Sequence, residues 1–125
     1  MLNAKVQWHK TSKGNIHDRD ETTTVQELKN RIVAFNKERD WLSGQKPRNL
    51  SISICLEAAE LLELFQWNDR NDEESLRKDN TYQLLTEELS DVVIYCLSMA
   101  SSMNIDLSES IIEKIKKNAI KYPVT

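Results

Sequence analysis

The apolar positions of this 125-residue chain fall into four stretches of helical period, separated by polar or charged connections. Thr24 and Glu27 have the spacing of a capping box, and Leu28, Ile32 and Phe35 follow at helical intervals, predicting a first helix from about Val25 to Trp41. Ser43 to Arg48 breaks that pattern, and Asn49 is the expected N-cap of a second helix from about Leu50 to Trp67. The charged stretch from Asn68 to Asp79 reads as a surface connection with a helical turn around Glu73 to Arg77. Asn80 with Gln83 offers another capping box and opens the longest helix, which runs to Met103. Asp106 with Glu109 repeats the device for a fourth helix that ends before Pro123. Residues 1–23 have no sustained period and read as a polar arm, with Val6 and Trp8 as its anchors, while residues 24–125 make the folded domain. Four helices on mostly short links predict an all-α antiparallel four-helix bundle.

Two glycines and two prolines in the whole chain agree with long helices and few tight turns. A formal charge of -3 gives no broad attraction for nucleic acid or for an anionic membrane, so neither is an expected partner. No long apolar run and no signal-like N-terminus is present, and a soluble, cytoplasmic protein is expected. Cys55 and Cys96 each sit in an apolar helical stretch and read as small buried thiols.

The carboxylates change the picture. The second helix is apolar on nearly every side and is expected to be largely buried, yet it carries Glu57, Glu60 and Glu63. At about 100° per residue, Glu57 and Glu60 share one side of it. The third long helix repeats the arrangement with Glu88 and Asp91, again at i, i+3 among leucines and valines, and Tyr95 extends that stripe by one turn. If the two helices face each other, four carboxylates converge without enough local Lys or Arg to neutralise them. Buried carboxylates demand a counter-charge, which a divalent cation supplies. All-oxygen ligands suit Mg²⁺, Mn²⁺ or Ca²⁺; zinc and di-iron centres recruit His or Cys, and His9 and His17 both lie in the arm. A ferritin-like centre would also need Glu-x-x-His, which is absent. A single acidic pair would read as a solvated helix face; two pairs on apolar helices do not.

A magnesium site built from carboxylates is completed by substrate phosphates, so a polyanionic substrate is expected. Lys114, Asn118 and Lys121 form an i, i+4, i+7 row on the fourth helix and are candidate phosphate contacts, with Ile111, Ile115 and Tyr122 expected to point to the core. Trp41 and Trp67 end the first two helices, where a flat ring can stack on a base or serve in packing. Arg39, Lys46 and Arg48 are further candidates for phosphate or ion-pair contacts.

Glu57-x-x-Glu60, 27 intervening residues and Glu88-x-x-Asp91 resemble the signature of the MazG-like all-α nucleotide pyrophosphohydrolases. FNKERDW (Phe35–Trp41), KPRNLSISICLEAAELLELFQW (Lys46–Trp67), EELSDVVIYCL (Glu87–Leu97) and KYP (Lys121–Pro123) look like the dCTP pyrophosphatase branch, a resemblance that covers about residues 25 to 123. It implies a four-helix bundle assembled as a dimer or dimer of dimers. Glu57, Glu60, Glu88 and Asp91 would then bind magnesium, or manganese in its place, for cleavage of a nucleoside triphosphate between the α and β phosphates. It further implies that Trp41, Trp67 and Tyr95 lie near the nucleoside and Lys114, Asn118 and Lys121 near the phosphates. The pattern departs at Gly44-Gln45, where that branch often has Phe-His. Relatives of the same fold that act on dUTP, damaged nucleotides or phosphoribosyl-ATP remain open, as does a non-catalytic helical module whose acids pair with a partner's basic residues.

Overall fold

The computed structural model describes residues 18–125, and these are helical throughout, with no strand among them. Five α-helices follow in order: α1 (Val25–Glu38), α2 (Pro47–Glu63), the short α3 (Glu73–Leu76), α4 (Thr81–Ser102) and α5 (Leu107–Lys121), with one 3-10 turn at Leu42–Gly44. Val6, Trp8, His9 and His17 lie outside the described residues.

The capping box of α1 forms as expected, with Glu27 N–H donating to Thr24 Oγ1 at 3.1 Å and Thr24 N–H to the Glu27 carboxylate at 3.2 Å. The helix stops short of Trp41 because Asp40 turns left-handed (φ 57°), so that Trp41 N–H donates to Asn36 O and Asp40 N–H to Lys37 O. This is a Schellman stop with aspartate in the position that glycine usually fills. A second one ends α4, where Asn104 (φ 54°) lets Ile105 N–H reach Ala100 O. At the start of α2 the chain departs from expectation. Pro47 occupies the first turn, where its missing N–H costs nothing, and Asn49 is already inside the helix, donating to Gly44 O. The far end of α2 tightens after Glu63 into i→i-3 bonds before Trp67, and Asn68 Nδ2 closes the turn on Leu64 O.

The connection from α2 to α4 is stapled by an ion pair that periodicity does not reveal. Arg70 makes two parallel bonds to Asp79, of 2.9 and 3.0 Å, and a third to Ser75 O. Asp79 also accepts from Thr81 N–H, so it caps α4 where an Asn80–Gln83 box was expected. Inside this loop Asp72 caps α3 and Leu76 is buried.

The largest helix interface is α2 against α4, and α1 packs on the other flank of α4. Leu50, Leu97 and Ala100 form the centre of this small core. Lys29 and Asn36, not Leu28 and Phe35, are the buried residues of α1. Lys29 Nζ donates to Ile105 O at 2.5 Å and ties α1 to the α4–α5 link, a polar demand that rotates the apolar stripe partly outward. Two further expectations are corrected. First, α2 is not largely buried: Leu50 alone among its residues is fully covered, and Cys55 is exposed, with Cys96 half-buried; both thiols are free. Second, Ile111, Ile115 and Tyr122 do not point to a core, because α5 shares no sizeable interface with the other helices and its residues beyond the first are exposed. The apolar patterns of both helices face surfaces that a single chain leaves uncovered. No helix among the described residues is long and apolar enough to cross a membrane.

Candidate active site

The tight α2–α4 crossing brings the two acidic pairs together. One oxygen each from Glu57, Glu88 and Asp91 falls within a 4.8 Å span. Glu60 approaches the carboxylates of both Glu57 and Glu88, so the two i, i+3 pairs converge on one volume. Glu57 and Glu88 are half-buried; Glu60, Glu63 and Asp91 are exposed.

Electrostatically, this is a site with excess negative charge. Burial first, then the neighbouring Glu60, Asp91 and Glu88, push the Glu57 carboxyl up to about 7. Burial and the same kind of like-charge crowding raise Glu88. Glu57 Oε2 and Glu88 Oε2 are shut off from solvent and find no hydrogen-bond partner among the described residues. Orphaned, desolvated carboxylate oxygens that repel one another, with no Lys or Arg among the described groups that act on them, are the donor set a hard divalent cation satisfies. The residues present therefore fit Mg²⁺ or Mn²⁺.

Around this cluster the other sequence-predicted residues are distributed unevenly. Tyr95 is half-buried one turn along α4 from Asp91. Trp41 is half-exposed, with the Phe35 ring edge-on at 5.8 Å and Arg39 stacked on the far ring at 3.6 Å, so its orientation is fixed by neighbours. Trp67, 87% exposed, projects from the end of the tightened turn after α2. Lys114, Asn118 and Lys121 all lie exposed on α5, which does not pack against the carboxylate crossing within one chain.

The sequence profile of the MazG-like family matches residues 52–125, which contain both acidic pairs. The chain belongs to the MazG-like family. It is 36% identical over 102 residues to the dCTP pyrophosphatase 1 of Rattus norvegicus and 35% identical over 101 residues to that of Homo sapiens. These alignments cover 81% and 80% of this chain but only 60% and 59% of the relatives, so the chain spans about 60% of the length of the curated relatives it matches. A crystal structure of a pyrophosphatase from Archaeoglobus fulgidus superposes with a TM-score of 0.72 at 37% identity, covering 88% of this chain and all of that one.

Beyond the acidic signature, this MazG-like chain carries a feature the sequence reading missed. Between α1, the 3-10 turn and the C-terminal half of α4 lies a cavity of about 340 Å³, whose lining includes Asn36, Gln45, Lys46, Ser98, Ser101 and Ser102 together with apolar side chains. Asn36 is hidden by its place on a helix read through Leu28, Ile32 and Phe35, and the serines by the apolar run of α4.

Proposed function

We propose that this chain is a Mg²⁺-dependent nucleoside triphosphate pyrophosphohydrolase that converts a deoxynucleoside triphosphate, dCTP or a related or modified one, to its monophosphate and pyrophosphate. The observation that carries the reading is the convergence of Glu57, Glu88 and Asp91, of which Glu57 and Glu88 each hold a solvent-excluded oxygen that finds no partner among the described residues. Its setting supports it: a MazG-like chain whose relatives are named for dCTP pyrophosphatase activity.

In this reading Glu57, Glu60, Glu88 and Asp91 hold the metal, and Mn²⁺ can substitute. When bound, the ion neutralises phosphate charge and polarises the phosphate oxygens. The four carboxylates would hold that positive charge at the α2–α4 crossing, where the α phosphate would be drawn to it. Glu60 or Glu63, at the solvent edge, accepts a proton from a water as its oxygen attacks the α phosphorus. The bond from that phosphorus to the α–β bridging oxygen breaks, and pyrophosphate leaves with the electron pair. Trp41, Trp67 and Tyr95 contact the nucleoside, and Lys114, Asn118 and Lys121 bind the outer phosphates. Residues 24–125 act as the catalytic domain, and α5 completes a four-helix bundle within a dimer or dimer of dimers. The role is removal of unwanted nucleotide precursors in the cytoplasm.

The test is chromatography of products after incubation with each common dNTP and NTP, with Mg²⁺ and with EDTA. Monophosphate and pyrophosphate in equal amounts, abolished by EDTA, are expected. Diphosphate and phosphate would refute the cleavage site; no turnover of the common nucleotides would move the substrate to modified ones, and no turnover of those either would refute the enzyme reading.

A further inference from the structure

Trp41, one of the residues assigned above to the nucleoside, stands where the chain offers little to hold a side chain. It follows the left-handed Asp40 (φ 57°), beyond the end of α1, and is half-exposed. Its backbone is pinned: Trp41 N–H donates to Asn36 O at 2.9 Å, and Trp41 O accepts from Gly44 N–H at 3.1 Å and from Gln45 Nε2 at 3.4 Å. The ring neighbour of the indole among the described residues is Phe35, at 5.8 Å and inclined by 67°. Phe35 is itself exposed on α1, so without support of its own it would leave the Trp41 ring free to change rotamer.

Arg39 supplies that support. It lies one helical turn after Phe35; its guanidinium carbon sits 3.6 Å from the centre of the Phe35 ring, and Nη1 donates to Phe35 O at 3.0 Å. The side chain is only 15% exposed, although its carboxylate contact is the exposed Glu38 next to it in sequence, at 3.5 Å. The contacts with Phe35, not that weak surface pair, therefore hold it in place. A planar guanidinium can lie over a ring and donate from its edge at once, which an ammonium cannot. The cations placed over rings among the described residues cover Phe35, Tyr82 and Tyr122, so Trp41 keeps exposed ring surface for a base. By its sequence Arg39 is a candidate for phosphate or ion-pair contact; in the structure its fork and its charge are engaged on Phe35 instead.

We propose, building on the nucleotide reading above, that Arg39 is a positioning residue for the base: through Phe35 it holds the Trp41 ring in the orientation that stacks on the nucleoside. Arg39 touches no part of the nucleotide in this arrangement. A ring ordered in advance gives up no rotamer freedom on binding, so the benefit falls on affinity and not on the chemical step at the carboxylates.

The experiment compares the full-length wild-type protein with Arg39→Met and Arg39→Lys, each labelled with fluorotryptophan, and Trp41→Phe identifies the Trp41 fluorine resonance. Without nucleotide, that resonance is expected to move towards the position of the free amino acid in Arg39→Met and less far in Arg39→Lys, with the Trp67 resonance unmoved. A Trp41 resonance that stays in place in Arg39→Met overturns the proposal, even where the melting temperature falls. In Arg39→Met, KM for dCTP is expected to rise about threefold to fivefold with kcat within about twofold of wild type. The affinities for dCMP and deoxycytidine, measured by titration calorimetry in EDTA, are expected to fall by the same factor. A loss that grows with the number of phosphates makes Arg39 a phosphate contact and overturns the proposal, as does a fall in kcat at unchanged KM. The calorimetry needs neither metal nor turnover and so separates this proposal from the enzyme reading. If no triphosphate is hydrolysed, an equal loss of dCMP and deoxycytidine affinity in Arg39→Met still supports the positioning role, and unchanged affinities, or no binding of either to the wild-type protein, overturn it.

Discussion

Each acid in the cluster is useful only because its neighbours make it unfavourable. Glu57 and Glu88 place oxygens out of solvent with no partner, and Glu60 adds a third charge beside both. Such a site stores instability that a cation removes, the usual relation between a functional site and the stability of its scaffold. Glu57→Gln is therefore expected to raise the melting temperature in EDTA by a few degrees, a gain of about 1 kcal/mol, and to abolish the further rise that Mg²⁺ gives the wild-type protein. Scanning calorimetry with and without Mg²⁺ measures both, and a variant less stable than wild type in EDTA would contradict the repulsion argument. Glu60→Ala or Asp91→Ala is expected to lower kcat by at least about 10³-fold, with the circular dichroism spectrum unchanged, because both side chains are exposed and contribute no core. The acids were legible in the sequence because carboxylates at i, i+3 on apolar helices have no bland explanation when they occur twice. Gln45, Asn36 and Ser101 were not, since amides and hydroxyls are ordinary in loops and tolerated in helices, and only the fold reveals that they share a cavity.

At the level of elements, boundaries written in adjacent residues were easier to read than those set by the fold. The Thr24–Glu27 box and the Asp106 cap are written in adjacent residues and form as expected. The ends of α1 and α4 depend on Asp40 and Asn104 adopting positive φ, which short polar side chains do at modest cost and which no periodicity announces. Asp40→Gly is expected to leave stability unchanged or raise it slightly, and Asp40→Val to lower it by about 1–2 kcal/mol in urea unfolding, because a β-branched residue strains the left-handed position. The cap of α4 was misassigned for a related reason: Asp79, not Asn80, binds the first free N–H, since Arg70 already holds its carboxylate in place. Those hydrogen bonds, led by the one from Arg70, hold Asp79 well below its ordinary value of 3.8. A depressed carboxyl pKa stabilises the fold above the unfolded value and loses that contribution as pH falls below 3.8. The difference in melting temperature between wild type and Asp79→Asn should accordingly be constant above about pH 5 and shrink progressively as the pH falls below 3.8, vanishing only below the depressed folded value; a difference independent of pH would mean that the ion pair is not its source.

For the whole molecule, hydrophobic pattern establishes which face of a helix avoids water but not what covers it. The pattern on α5 was read as a bundle face, yet Ile111, Ile112 and Ile115 are each more than half exposed, as are Leu56 and Leu62 on α2. Exposed apolar residues arranged in helical rows on two elements exceed what an isolated small domain tolerates, and they argue for association of copies through α5 and the outer side of α2. The consequence for the proposed function is direct, because Lys114, Asn118 and Lys121, the phosphate contacts of that proposal, are carried on the same helix and require α5 to be docked. The protein is therefore expected to sediment as a dimer or tetramer at micromolar concentration. Ile111→Glu combined with Ile115→Glu should convert it to monomers that keep their helical content, since neither side chain supports the α1–α2–α4 core, and should raise KM for the nucleotide by about tenfold or more through loss of the phosphate contacts. Metal binding provides the internal control: Mg²⁺ should still stabilise the double variant, because all four carboxylates come from α2 and α4. A wild-type monomer, or a double variant that stays assembled, would show that the exposed rows of α5 serve some purpose other than self-association.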